Sequence, residues 1–409
     1  MRMLTPAGQL SRIAAPALAL LFAVLAGCGG GGGGETKTGS NGTGVAPPTP
    51  EILTAAGPIT SLGPTGVGSI TFDDAAASIN IDSGFQLAPA ELRLGMFAEA
   101  GGTIVATSSN GTASKVAVQS VVLGPVASVN PAAQQLTILS IPVQADQNTI
   151  LDGITGVAAI TPGMPLAVHA LSQPGTNVLK ATRLVALAAL PAGPATAELV
   201  GPATGVTETA FNVAGVRVVS TGSSFVVGGS VVLPSPRPPV STIAENTRVR
   251  VIGNYDPATN TIAATRVIGG LTPVRGDDSI IVLDGVVQSV SAPGRFRLND
   301  TDVDASAAGG ATIAAGARVQ LSGRKIAGVL AATQVKVLGA ADKLQFTVQG
   351  PISEFVSLAA FKVRGELIDA SLATVSGGTA ADLANGRRVL VRCQAGPGKL
   401  QATQVTLQP

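Results

Sequence analysis

Tryptophan is absent from this 409-residue chain, and tyrosine and histidine occur once each, as Tyr255 and His169. The side chains that usually stack on bases and sugars or relay protons are therefore nearly missing. Charge is scarce too, with Asp, Glu, Lys and Arg making up 12% of the residues, about half the roughly 25% of an ordinary globular domain. Cysteine is present only as Cys28 and Cys393. With one histidine, no zinc site of the usual His and Cys kind can be assembled.

Glycine and proline are abundant, at 51 and 27 residues. Both are poor in helix interiors, so a mostly helical protein is excluded. The 45% hydrophobic content is dominated by Ala, Val, Leu and Ile rather than aromatics. That composition predicts an all-β fold with a neutral surface of Thr, Ser, Gln and Gly.

The N-terminus reads as an address. Arg2 and Arg12 precede an apolar run from Ile13 to Ala26, which is shorter than the roughly 20 residues a helix needs to cross a bilayer. Residues 1–27 are predicted to be a signal peptide. The run ends in Leu25, Ala26, Gly27 and Cys28, which resembles the lipobox of bacterial lipoproteins. That resemblance implies diacylglycerol on Cys28 and cleavage before it, and Gly29 at the next position implies sorting to the outer membrane. Removing Arg2 and Arg12 leaves 24 basic against 24 acidic residues. A neutral chain lacks the positive field that drives nucleic-acid binding, so no nucleic acid is expected as a partner. With Cys28 acylated, Cys393 has no partner for an intramolecular disulfide.

Residues 28–56 are predicted to be a flexible tether. Gly29 to Gly34 is an unbroken glycine run, and Val45 to Pro50 holds three prolines. As a coil, this stretch would span roughly 30 Å.

From Gly57 onward three landmarks recur in order. The first is a strand opened by glycine: Gly57-Pro58-Ile59, Gly124-Pro125-Val126, Gly201-Pro202-Ala203, Gly285-Val286-Val287 and Gly350-Pro351-Ile352. The second is an alternating strand after a turn, at Gly95 to Ala100, Gly163 to Val168, Thr247 to Ile252, Gly316 to Leu321 and Gly386 to Val391. The third is Leu179-Lys180-Ala181-Thr182-Arg183-Leu184, echoed at Ile262 to Val267, Leu330 to Val335 and Leu400 to Val405, with a weaker copy at Thr112 to Val116. Between the first two lies a hairpin, clearest in Phe211 to Val218 and Phe361 to Ile368, where apolar residues alternate about a Gly-containing turn. Short polar stretches such as Ala380 to Gly386 are able to form a helical turn before the second landmark. Each repeat thus offers five strands, the order of an OB-like barrel. The boundaries are 57–123, 124–196, 197–279, 280–343 and 344–409, arranged as a beaded rod.

These Gly-x-Val, Phe-x-Val-x-Gly and Leu-x-Ala-Thr-x-Val patterns resemble tandem OB-like β-barrel domains of unknown function found in lipoproteins and secreted proteins of Gram-negative bacteria. The resemblance covers residues 57–409. It implies an envelope location and no established chemistry.

Few residues qualify as chemical candidates. His169 shares its register with Gly101, Ile252, Ser322 and Arg392, and alternation predicts an exposed histidine there rather than a catalytic one. Cys393 lies level with Gly102, Ala170, Gly253 and Gly323, a slot for small side chains, so a buried and inert thiol is expected. Asp300, Asp302 and Asp304 mimic the start of a calcium loop, but Ala305 and Ala311 stand where an EF-hand needs Gly and Glu. A hairpin turn explains them more simply.

The third repeat carries about 9 to 15 extra residues before its fourth strand, including Gly228 to Leu233 and the proline-rich Pro234 to Pro239. Val231, Val232, Leu233 and Arg237 are candidate partner contacts on that loop. No catalytic, metal or cofactor site is expected. The expected function is a lipid-anchored structural or binding module of the cell envelope, touching the membrane through its N-terminal lipid and an envelope protein as partner. A periplasmic or surface hydrolase or carbohydrate-active protein, and an envelope assembly or adhesion factor, are the alternatives.

Overall fold

A computed structural model describes residues 49–81, 92–105, 108–172, 178–190, 196–220, 224–227, 230–232, 243–269, 277–299, 301–309, 312–339 and 342–409. Among them the chain is strand and turn, apart from single 3-10 turns at Val157–Ala159, Ser306–Ala308 and Ala380–Asp382. The all-β expectation holds. No helix of the described residues is long and apolar enough to cross a membrane.

The first barrel contains β1 (Pro50–Leu62), β2 (Thr65–Val67), β3 (Ile70–Asp73), β4 (Ser78–Ile81), β5 (Phe97–Val105) and β6 (Asn110–Val118). β1, β2 and β3 form an antiparallel meander. β3 lies parallel to β6, β6 pairs antiparallel with β5, and β5 returns to β1 to close the barrel. β4 adds a short parallel pairing to β6, a strand the sequence reading did not anticipate.

The circuit then repeats. It joins β7 (Val122–Asn130), β8 (Gln135–Ile138), β9 (Ile141–Gln144), β10 (Ile150–Asp152), β11 (Pro165–Ser172) and β12 (Leu179–Ala186). The next segment has β13 (Ala197–Thr204), β14 (Ala210–Val213), β15 (Val216–Val219), β16 (Ser224–Val227), β17 (Ser230–Val232), β18 (Arg248–Asp256) and β19 (Thr261–Gly269). The fourth is β20 (Ile280–Ala292), β21 (Arg295–Leu298), β22 (Thr301–Asp304), β23 (Arg318–Ile326) and β24 (Val329–Leu338). The last is β25 (Phe346–Ser357), β26 (Ala360–Val363), β27 (Glu366–Asp369), β28 (Thr374–Ser376), β29 (Arg388–Ala395) and β30 (Leu400–Leu407).

The sequence landmarks have physical causes. In every segment the residue two after the first-landmark glycine, such as Ile59 or Ile352, exchanges two backbone hydrogen bonds with the turn that opens the fourth strand. Gly95 N donates to Ile59 O, and Ile59 N donates to Met96 O, both at 2.8 Å; Gly386, Ile352 and Arg387 repeat the pair at 2.8 and 2.9 Å. That turn residue has positive φ, which favours glycine; in the third barrel Asn246 takes the place at φ 63°. The Phe-x-Val-x-Gly hairpins turn through Ala214-Gly215 and Arg364-Gly365, all with positive φ, as tight two-residue hairpin turns require.

The third landmark closes the barrel over a β-bulge. The penultimate strand shifts register between Gly101 and Gly102, His169 and Ala170, Ile252 and Gly253, Ser322 and Gly323, and Arg392 and Cys393. Behind each bulge the slot faces the landmark alanine: Gly253 opposes Ala264, and Cys393 opposes Ala402. A Cβ at Gly253 would fall 2.3 Å from the Ala263 oxygen, so the slot accepts only small residues. The hydroxyl next to that alanine secures the bulge. Thr182, Thr265, Thr333 and Thr403 donate to the carbonyls of His169, Ile252, Ser322 and Arg392, and Ser114 does so to Gly101, at 3.0–3.3 Å. The Ala-Thr pair is thus a bulge clasp.

Two sequence expectations are corrected here. Residues 50–56 are not tether: they form the first half of β1, with Leu53, Ala55 and Ala56 buried. Nor do the barrels form a beaded rod. β1 lies parallel to β20 through Leu53 to Ala56 and parallel to β25 through Ser61 and Leu62, while β7 pairs with β13. Apolar side chains of the first and last barrels merge into one cluster, and those of the second and third into another. The cause lies on the outer strand faces, which are apolar enough to bury against a neighbour: Ala56 packs with Leu283 and Val287, and Leu123 with Ala167 and Ile252.

Candidate functional site at the barrel junction

Outward positions on closed strands normally face water, yet several here carry buried charge. β12 presents Arg183 on the outside of the second barrel, directly across from His169 on β11. β27 of the last barrel brings Glu366, and the residues before β5 of the first barrel bring Leu94. Arg183 Nη1 donates to Leu94 O at 2.8 Å and to Glu366 Oε1 at 3.0 Å, while Nη2 reaches Asp152 Oδ2 at 2.5 Å. Glu366 Oε1 also accepts the Leu94 amide at 2.8 Å. Arg183 and Glu366 are 2% and 3% exposed. Burial disfavours the Arg183 charge, but the Glu366 and Asp152 carboxylates more than offset it and hold the guanidinium above its ordinary pKa.

Three barrels therefore meet on one ion pair. Arg93 strengthens the contact by donating to Arg364 O at 2.8 Å over Gly365, where a Cβ would collide with its guanidinium. Buried pairs recur elsewhere: Glu198 with Arg250 at 3.0 Å in the third barrel, and Asp284 with Arg318 at 3.0 Å in the fourth.

The expected exposure of His169 is wrong. Its ring is buried, and Nδ1 lies 3.0 Å from Gln119 O. Burial first, then the facing Arg183, lower its pKa to about 4 against the partial support of the Gln119 carbonyl, so the imidazole is neutral near pH 7. Alternation placed it on the outer face correctly; the outer face is covered by other barrels.

A cleft of about 150 Å³ is lined by Asn148, Lys180, Arg318, Asp342 and the glycines Gly316 and Gly339. Its polar groups hold one another. Lys180 pairs with Asp146 at 3.1 Å, and Arg318 binds both Asp284 oxygens at 3.0 and 3.1 Å. Asn148 clips the segment between the fourth and last barrels, donating to Asp342 O and accepting from Leu344 N, each at 2.8 Å. Such an arrangement ties backbone segments together. Among the described residues no three His, Cys, Asp or Glu side chains are grouped to hold a metal.

Other sequence candidates fall as follows. Cys393 is fully buried, its Sγ 3.7 Å from Phe346 O, and burial followed by the Glu366 carboxylate pushes the thiol pKa up, as an inert cysteine requires. Asp302 and Asp304 lie on β22 and pair across the hairpin with Arg297 and Arg295 of β21 at 3.4 and 3.0 Å; Asp300 lies outside the described residues. Val231 and Val232 belong by backbone to β17, which forms a hairpin with β16, and β16 runs parallel to β19. Cys28, Leu233 and Arg237 lie outside the described residues.

Arg183, Glu366, Arg250 and Glu198 were missed from sequence. Arg183 stands in the same Ala-Thr-x position as Arg266, which is exposed, so the motif carried no sign of its burial. A weak signal existed in Glu366, a charge directly after the hairpin glycine where β15 begins with Val216.

Comparison with known proteins adds one family. A protein-family model described as a domain of unknown function (DUF5666) matches residues 124–184 and 349–406. Each match runs from the Gly-Pro strand to the Ala-Thr strand, and together they cover under a third of the chain. No curated protein matches the chain.

Proposed function

We propose that this chain is a lipid-anchored cell-envelope protein whose five OB-like barrels act together as a structural or binding module rather than as an enzyme. The observation that carries the reading is the use of polar side chains at the junction: Arg183, Glu366 and Asn148 bind protein groups across barrel boundaries, while Asp152 and Lys180 form ion pairs within the second barrel beside them. The OB-like description rests on the circuit in which the third strand runs parallel to the fifth and the fourth returns to the first, a five-stranded Greek-key closure. Anchoring rests on the sequence Leu25-Ala26-Gly27-Cys28 after a short apolar run. The anchor places the module in the envelope, at the outer membrane of a Gram-negative bacterium, away from nucleic acid. Its specific contact is the segment from Gly228 to Pro239, with Val231, Val232, Leu233 and Arg237.

Two measurements test this. Mass spectrometry of the mature protein should find a diacylglyceryl-modified Cys28 as its first residue; an unmodified N-terminus downstream of Cys28 refutes the anchor. A pull-down from envelope extract should lose its partners when residues 228–239 are replaced by a short Gly-Ser link. Unchanged partners move the binding face onto the barrels.

A further inference from the structure

Four of the five barrels cover both edges of their last strand, and the fourth barrel does not. β4, β10, β16 and β28 each run parallel to the last strand, and each pairing begins at the residue directly after the clasp hydroxyl: Ser78 with Lys115, Ile150 with Arg183, Ser224 with Arg266 and Thr374 with Gln404. In the fourth barrel β22 meets β24 only at Leu330 and Ala331. Among the described residues no strand lies beside Gln334 to Leu338 on the side away from β23.

The cause is chain length. Residues 305–317, 13 of them, separate β22 from β23, against 18 between β27 and β29 and 20 between β9 and β11. The short connection holds the 3-10 turn Ser306–Ala308 and is too brief for a further strand as well. Side chains register the gap. Two residues after the clasp hydroxyl, Val116, Leu184, Val267 and Val405 are fully buried, whereas Val335 is only half-buried and Val337 is 39% exposed. A strand edge left open in this way presents backbone donors and acceptors that an extended chain can pair with.

The sibling strands show what fits. Paired residues of parallel strands project to the same face of the sheet. An incoming segment therefore needs a neutral residue opposite Gln334 and an apolar one opposite Val335, directed at the core. Its third residue meets Lys336, which is exposed and is the one charge between Thr333 and Leu338, so an acid fits there. β10 has that order in Ile150-Leu151-Asp152, with Leu151 packed on the core and Asp152 turned outward to Arg183. We infer that the open edge of β24 is a docking site for an extended segment of a partner protein, neutral, apolar and acidic in order and running parallel to β24. The inference depends neither on the lipid anchor nor on residues 228–239.

A synthetic peptide of residues 148–154, carrying a fluorophore and a benzophenone at one end or the other, serves as the probe for the intact protein. Expected is saturable binding below about 2 mM. Lys336→Glu should weaken it about fivefold, the scale of an exposed ion pair, and a peptide with Asp152→Lys should recover the loss. N-methylation of Leu151 and Asp152 in the peptide removes its backbone donors there and should abolish binding. The N-terminal label should crosslink near Thr333 and the C-terminal label near Leu338. Absence of binding overturns the inference, as does binding indifferent to both Lys336→Glu and N-methylation. Crosslinks in the reverse order overturn the parallel docking. Crosslinks confined to β12 mean that the peptide has replaced β10 and also overturn it. Dimerisation of the protein alone, with crosslinks between two copies at residues 334–338, assigns the edge to a second copy instead.

Discussion

Arg183 and Arg266 follow the same Ala-Thr pair on the last strands of the second and third barrels, one 2% exposed in an ion pair shared by three barrels and the other in solvent. The strands, the bulge opposite and the threonine clasp are alike. What differs is which neighbour covers the outer face. Barrel interiors here are fixed by local sequence, whereas their exteriors acquire roles only from assembly.

The largest expected effect breaks that difference directly. Glu366→Ala leaves Arg183 buried without its main partner, and removal of one member of a buried pair typically costs about 3–5 kcal/mol. Arg266→Ala, at the equivalent place in solvent, should stay within about 0.5 kcal/mol. Urea unfolding of the two variants measures both. Similar losses would mean that the two arginines are equivalent.

A second effect sharpens the comparison through pH. Burial of His169, next to Arg183, lowers its folded pKa to about 4 from the ordinary 6.5. Below 6.5 the unfolded chain binds the proton more readily, so stability is full above that pH and falls as pH drops toward 4. Linkage puts the loss at roughly 2 kcal/mol by pH 5 and roughly 3 kcal/mol by pH 4. His169→Gln should remove the loss between about pH 6.5 and 5. That window lies above the onset for carboxylates held low by hydrogen bonds, such as Asp369, lowered to about 2 first by its bond from Ser371. A variant that loses stability in the same window as the wild type contradicts the assignment.

The smallest effect probes the shared interior. Gly253→Ala puts a Cβ against the Ala263 carbonyl, and overpacking of this kind costs about 1–3 kcal/mol. The reverse change, Ala170→Gly in the second barrel, should cost no more than about 1 kcal/mol. Thermal unfolding separates them. Tolerance of Gly253→Ala would show that the backbone relaxes at the bulge.

Much of the interior was legible in sequence because its requirements are local. Positive φ at Gly163 or Gly386, two such residues at Arg364-Gly365, and a small residue behind each bulge leave marks at fixed spacing. The short strands β4, β10, β16 and β28 left none, since they add only a few parallel bridges to the last strand. The outer faces were legible only as alternation. Ala56, Leu123 and His169 sit where alternation points them, but whether that side meets water depends on contacts as distant in sequence as Leu53 with Ile280 or Arg183 with Glu366. Fold class followed from composition; the junction did not, because no single repeat contains it.

The central claim is that the barrels are joined into one body through these faces. Small-angle X-ray scattering of residues 48–409 tests it, because a single compact unit of that length has a radius of gyration of roughly 21 Å. The same barrels strung in a line would give on the order of 40 Å from the same size scaling. A value near the first, moving toward the second only when Glu366→Ala is combined with disruption of the β1–β20 pairing, is what the account predicts. A wild-type value near the second would contradict it.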